Sequence, residues 1–280
     1  MSPAKTAAKH ESTEPVFDFN SATTRYDPKN AYWLARAAEL AYRGDQVVQE
    51  QAAAWELDQF RFFSRRETQA FVAGNDELII IAFRGTEPSE LQDWMTDADI
   101  ILKSGPTGKV HDGFQRALGY VYSEIRQTIG EFQTNAQSLW VTGHSLGAAL
   151  AALTVARLRF EEDKPVYGLY TYGQPRTGDR DFERNFNLDF KSKAFRFVNN
   201  NDIVPRVPPR EFSYSHVGSF IYIDGKGKLH TDSSFWYKLL DRIQGRIEDL
   251  GKPGTDGIKD HAIANYVKHL GSNIKTVLTF

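Results

Sequence analysis

No cysteine occurs among the 280 residues, which excludes disulfide support, a cysteine nucleophile and any thiolate metal site. Charge of one sign is also missing. The 34 Lys and Arg against 36 Asp and Glu leave a formal net charge of -2, so the chain carries no basic footprint for nucleic acid. No stretch approaches the ~18 apolar residues of a membrane span, and the opening MSPAKTAAKHESTEP has none of the apolar run that marks a signal peptide. The expectation is a chain with no transmembrane segment and no Sec leader, either cytoplasmic or exported without a classical leader. An HExxH motif, a phosphate-binding G-x-x-x-x-G-K-[ST] and a cysteine and histidine cluster are all lacking, so neither a metal nor an organic cofactor is implied.

What is present is ordinary for a folded globular protein: 41% hydrophobic, 25% charged and 13% aromatic residues. The length suits one large α/β domain. Residues 1–24 are polar and aperiodic and read as a flexible tail, leaving 25–280 as a single domain. Asp27-Pro28 predicts a helix start, and the run AYWLARAAELAY continues at helical spacing until Gly44. Strand-like segments follow at DQFRFF and TQAFVA, then a turn at Gly74-Asn75-Asp76 and the continuous apolar run Leu78 to Phe83, which reads as a buried central strand. Between Gly113 and Phe132, Phe114, Leu118, Val121, Ile125 and Ile129 share one helical face.

Beyond that face come the strand SLWVTG, the alanine-rich helix LGAALAALTVARLRF, and two buried strands in PVYGLYTYG and AFRFVNN separated by a polar loop. A hairpin around Asp224 to Lys228 and helices at 233–250 and 258–270 complete the pattern. Strands alternating with helices imply a mainly parallel sheet flanked by helices.

Gly143-His144-Ser145-Leu146-Gly147 matches G-x-S-x-G and falls between an apolar strand and a helix, where a nucleophile elbow belongs. Glycines there permit the sharp turn that exposes the serine hydroxyl; the bland alternative is a fortuitous tight turn. A serine hydroxyl needs a histidine to take its proton and a carboxylate to fix that histidine's tautomer, in the order Ser, acid, His. Asp202 stands at the end of the strand AFRFVNN and is the candidate acid, although an aspartate there could simply cap a turn.

Four histidines follow it, His216, His230, His261 and His269. His261, at the start of a helical run, is the first candidate base, and His216, read as a hydrogen-bonded strand histidine, is the alternative. Leu146 N–H supplies one oxyanion donor, and Thr86, in the turn Arg84-Gly85-Thr86, is placed to supply a second if that turn is more than a strand exit.

Five ordered segments resemble the class 3 lipase family, which includes secreted triacylglycerol lipases of filamentous fungi. They are Ile81-Ala82-Phe83-Arg84-Gly85-Thr86, Val110-His111-Asp112-Gly113-Phe114, Val141 to Gly147, Thr171-Tyr172-Gly173-Gln174-Pro175-Arg176, and Asn201 to Pro209. The resemblance runs from about residue 30 to 270 and implies a three-layer α/β-hydrolase with a short lid helix. It also implies Ser145 as nucleophile, Asp202 as acid, His261 as base, and Thr86 with Leu146 as oxyanion donors.

By the same resemblance Asp97 supports the oxyanion hydroxyl and 87–96 forms the lid, where Glu87, Leu91 and Met95 lie and Trp94 marks the far hinge. His144 and His111 are left as structural. The fungal members are disulfide-bonded and carry leaders, whereas this chain shows neither feature. The lid stretch EPSELQDWMT is acidic, which fits weak interfacial activation and activity on soluble esters. The expected activity is hydrolysis of triacylglycerol or another ester, with an oil-water interface as the partner surface. The alternatives are a carboxylesterase or phospholipase of the same family, or a non-catalytic relative that only binds a ligand.

Overall fold

Residues 16–87, 90–91, 100–231 and 256–277 are described by the computed structural model. Helix α1 (Pro28–Leu40) begins where the Asp27 carboxylate accepts from the amides of Lys29 and Asn30 and proline occupies the first turn. Gly44 is a junction rather than a stop, because it caps a second helix, α2 (Asp45–Ala54), that the sequence pattern did not reveal. Only Val48 and Ala52 of α2 are buried, too few to mark an apolar face. Two residues expected in the flexible tail are packed against the domain. Phe17 packs on Trp33 and Trp55, and Phe19 meets Trp140 edge-on, all at ring separations of 5.0–5.6 Å.

Strands β1 (Gln59–Arg65), β2 (Thr68–Gly74) and β3 (Leu78–Phe83) lead to a small separate hairpin, β4 (Leu102–Ser104) and β5 (Lys109–His111). Then come helices α3 (Asp112–Gly119) and α4 (Tyr122–Phe132), β6 (Ser138–His144), α5 (Leu146–Phe160), β7 (Gly168–Tyr172), α6 (Arg180–Phe190) and β8 (Ala194–Asn199). The chain continues through β9 (Ser219–Ile223), β10 (Leu229–His230), α7 (Asp256–His261) and α8 (Ile263–Val277).

Eight strands form the main sheet in the order β1-β2-β3-β6-β7-β8-β9-β10. From β3 to β9 every pairing is parallel, so the carboxyl ends of five strands share one edge, where loops can assemble a site. Alternate residues of β3 enter two different cores: Ile79, Ile81 and Phe83 join α3 to α6, while Leu78, Ile80 and Ala82 join α1 and α8. Burial on both faces explains its unbroken apolar run. The result is the helix-sheet-helix arrangement of an α/β-hydrolase. Among the described residues no helix is long and apolar enough to cross a membrane.

Two expectations need correction. The face from Phe114 to Ile129 is carried by two helices, with Val121 as the N-cap of α4 between them, although all five residues do enter one core. The polar loop expected between β7 and β8 contains α6, whose Phe182, Phe186 and Phe190 are buried at a spacing of four; each such burial stabilises by roughly 1.5–3 kcal/mol. Its remaining residues are mostly charged or amide, which hid the pattern.

The hairpin around Asp224 is present, with the Asp224 carboxylate accepting from the amides of Lys226 and Lys228 at 2.9 Å. The run at 258–270 spans the α7–α8 junction. The expected helix at 233–250 lies outside the described residues.

Candidate active site

Ser145 follows β6 directly and has φ 59° and ψ −131°, a conformation that costs a non-glycine residue about 1–3 kcal/mol and persists only where its surroundings enforce it. Ser145 N–H donates to the Tyr172 carbonyl at 3.0 Å, and α5 starts immediately afterwards. The flanking glycines are required by space. A Cβ on Gly143 would lie 2.3 Å from the Gly147 carbonyl oxygen, and one on Gly147 would lie 2.4 Å from that of Phe83. The elbow is thus wedged against β3.

Asp202 and His261 are both buried, and His261 Nδ1 donates to the two carboxylate oxygens at 3.0 and 2.9 Å. Two further donors hold that carboxylate, the Val204 N–H at 2.9 Å and the Tyr266 hydroxyl at 2.5 Å. With Nδ1 protonated toward Asp202, a neutral His261 presents Nε2 as a lone pair. Nε2 and the Ser145 hydroxyl oxygen are both buried, and neither has a hydrogen-bond partner among the described residues. Burial, then the neighbouring Asp202 charge and the hydrogen bond to it, raise the Tyr266 hydroxyl well above an ordinary phenol, which keeps it a donor.

His144 connects the elbow to the base. Its ring lies 4.4 Å from that of His261, and its Nε2 donates to the His261 main-chain carbonyl at 2.7 Å. Nδ1 must therefore accept from the Tyr42 hydroxyl, 2.8 Å away. Burial first, and then the adjacent His261, hold His144 well below its ordinary 6.5, so it stays neutral.

The turn after β3 closes on the same place: a Cβ on Gly85 would lie 2.4 Å from the Tyr42 hydroxyl, 2.5 Å from the His144 carbonyl and 2.8 Å from Ser145 Cβ. Thr86, half-buried, is the next residue. Leu146 opens α5, and an amide in a helix's first turn has no acceptor within the helix.

The fold thus brings Ser145, Asp202 and His261 to one edge of the sheet, with Gly85-Thr86 and Leu146 beside the serine. His216 is not on the acid: its Nε2 donates to the Pro205 carbonyl at 2.9 Å, and it lies in a loop beside an isolated bridge rather than in a strand. Of the stretch expected to form a lid, Glu87 pairs with Arg84 at 2.9 Å and Leu91 is buried; Trp94, Met95 and Asp97 lie outside the described residues.

Sequence reasoning missed Tyr42, Tyr266 and Asp260. Asp260 stitches the acid loop to the base helix, accepting from Asn200 Nδ2 at 2.9 Å and from Asn201 N–H at 3.1 Å. Asp260 directly precedes His261, which was the one available hint. Tyr42 and Tyr266 gave none.

Comparison with known proteins points the same way. A sequence model described as lipase (class 3) matches residues 80–212. The triacylglycerol lipase OBL1 of Arabidopsis thaliana is 31% identical over 247 residues, covering 67% of this chain and 48% of that protein. A lipase of Rhizomucor miehei is 37% identical over 167 residues, covering 56% and 45%. The chain spans about half the length of these curated relatives.

Among solved structures, the Rhizomucor miehei lipase propeptide complex superposes with a TM-score of 0.58 at 30% identity, covering 71% of this chain and 68% of that one. A triacylglycerol lipase whose catalytic centre is described as a serine protease triad gives 0.57 at 30% identity, covering 71% and 80%. Fold, ordered motifs and relatives agree: the chain belongs to the class 3 lipase family.

Proposed function

We propose that the protein is a carboxylic ester hydrolase acting on acylglycerols, with Ser145 as nucleophile, His261 as general base and acid, and Asp202 as the orienting carboxylate. The observation that carries this reading is the buried Asp202–His261 pair, which leaves Nε2 unengaged next to the Ser145 elbow.

Ser145 Oγ attacks the ester carbonyl as its proton passes to His261 Nε2. Charge developing on the carbonyl oxygen is met by the Leu146 N–H and by Thr86 at the turn after β3. His261 then returns the proton to the leaving alcohol, the acyl-enzyme forms, and a water deprotonated by His261 releases the carboxylic acid. The relatives, which include triacylglycerol lipases and a secreted mono- and diacylglycerol lipase of Fusarium solani, support acylglycerols as the substrate class. The acidic stretch 87–96 is the proposed lid, and its composition supports weak activation at an interface.

The test is hydrolysis of p-nitrophenyl esters from acetate to palmitate, and of emulsified triglyceride, by wild type and Ser145→Ala. Loss of roughly 10³-fold or more in kcat is the expected result. Activity confined to short soluble esters would make the protein a carboxylesterase. A wild type that is folded yet inert on every ester would overturn the catalytic reading in favour of a ligand-binding relative.

A further inference from the structure

Between α6, the end of β8 and the loop leading to β9 lies a cavity of about 730 Å³. Its wall includes Arg176, Arg196, Arg206, Arg210, Lys191 and His216, and it does not include Ser145 or His261. Arg196 is the anomaly. It sits in β8 on the same face as Ala194 and Val198, in a strand whose other buried side chains are mostly apolar. Its residue is 8% exposed, it forms no salt bridge among the described residues, and its Nε has no hydrogen-bond partner. Its guanidinium lies over the ring of Phe220, 4.6 Å from the centroid.

Arg176, also 8% exposed, donates through one nitrogen to the carbonyls of Arg206 and Pro208, while its Nε is unpartnered. The buried Nδ1 atom of half-buried His216 has no hydrogen-bond partner among the described residues.

A buried guanidinium without a paired counter-charge is costly, and three of the four acids on the wall are engaged elsewhere. Asp179 caps α6 and holds the Lys109 amide, Asp181 pairs with Arg184, and Asp202 serves His261 and Tyr266. Glu183 faces the cavity and bonds neither buried guanidinium. Burial, then repulsion from Arg176 and Arg210, pull Arg196 down to about 9 against the opposing attraction of Glu183; burial and Arg210 pull Arg176 down to about 10 against that of Glu211.

We propose that this cavity is an anion site that seats a phosphate group on Arg176 and Arg196, with Arg210 at its rim. A carboxylate brings one charge and two coplanar oxygens. A phosphate brings about −1.5 to −2 charge and three acceptor oxygens, which suits guanidinium groups arriving from β8 and from the loops around it. The volume exceeds what the ion alone fills, so the phosphate can carry an ester substituent. The lining excludes the nucleophile and the base but shares Asp202 with the catalytic site, its carboxylate being committed to His261 and Tyr266, so occupancy is read by thermal unfolding and not by ester hydrolysis.

The test is thermal unfolding of the whole chain in rising inorganic phosphate against sodium chloride of equal ionic strength, for wild type, Arg196→Met and Arg210→Gln. Wild type should gain about 5 °C or more once phosphate is roughly a hundredfold above its dissociation constant. Arg196→Met should lose that gain while melting no lower than wild type in phosphate-free buffer, since it removes an uncompensated buried cation. Arg210→Gln, at an exposed position, should weaken phosphate binding about threefold or more with the fold intact.

Glycerol phosphate, and phosphatidate against pure phosphatidylcholine vesicles, identify the source of the phosphate: a free ion, a soluble ester or a lipid headgroup. Dependence on Arg196 in any of these arms supports the site. Absence of a phosphate-specific response in all of them, or a response unchanged in Arg196→Met, overturns it.

Discussion

His144 Nε2 donates to the main-chain carbonyl of His261 at 2.7 Å, so the side chain just before the nucleophile holds the backbone of the base. The far side of that imidazole is held by Tyr42, in the turn between α1 and α2. Tyr42→Phe leaves a buried Nδ1 without its donor and should cost about 1–3 kcal/mol of stability, with kcat falling less than about 10-fold. Urea unfolding alongside p-nitrophenyl butyrate kinetics checks this, and an unchanged unfolding midpoint would refute it.

Tyr266 acts on the other end of the pair, donating to Asp202 at 2.5 Å while accepting from the Asn199 N–H at 3.1 Å. A hydrogen bond to a charged group is worth about 1.5–3 kcal/mol, so Tyr266→Phe should lower kcat by about 10-fold or somewhat more. KM should hardly move, because the hydroxyl orients the acid and does not reach substrate. A rise in KM with kcat preserved would remove Tyr266 from this role.

Asp260 should behave as a positioning residue with a chemical signature. Asp260→Ala removes the acceptor shared by Asn200 and Asn201 and should reduce kcat several-fold, on the order of 1 kcal/mol in the barrier. Asp260→Asn retains an acceptor oxygen and should recover most of the loss. Equal defects in both variants would mean that charge, rather than the tether, is what matters at this position.

The pH dependence of stability follows from two enclosed imidazoles, buried His144 and half-buried His216. Burial, then the neighbouring His261 and Arg196 respectively, hold His144 and His216 well below their ordinary 6.5. Below about pH 6.5 the unfolded chain takes up protons at both positions that the folded chain refuses, so stability contributed by these groups is complete above that pH and declines as pH falls. Each contributes a slope of up to about 1.4 kcal/mol per pH unit. His216→Gln should flatten the slope by about that amount between pH 5 and 6.5, measured by urea denaturation; an unchanged slope would show that His216 titrates normally.

Much of this was legible in the sequence. The elbow declares itself because its steric demands need particular residues at fixed offsets, as the Gly143 and Gly147 contacts show. Asp202 could be read from its place at a strand end, and His261 by order and by family likeness. Helices α2 and α6 escaped for a shared reason: their apolar residues are few and set among charges and amides, so their burial depends on the sheet they meet. The second tier of the site escaped more completely. Tyr42, Tyr266 and Asp260 act through contacts with residues 102, 64 and 60 positions away, and no local pattern marks such a partner. Arg196 was invisible as well, since an arginine inside an apolar strand pattern reads as an edge or a surface position until the structure shows it enclosed.

The block most easily recognised as family, residues 80–212, holds Ser145 and Asp202 but stops 49 residues before His261 (261 − 212). The histidine is brought back by Asp260 and by α8, and is then pinned through His144 to Tyr42, which precedes the block. A domain trimmed to the recognisable block would thus carry a nucleophile and an acid with no proton acceptor between them. Boundaries for expression or grafting must be set by that clasp of first helix to last, well outside the region where the sequence signal is strongest.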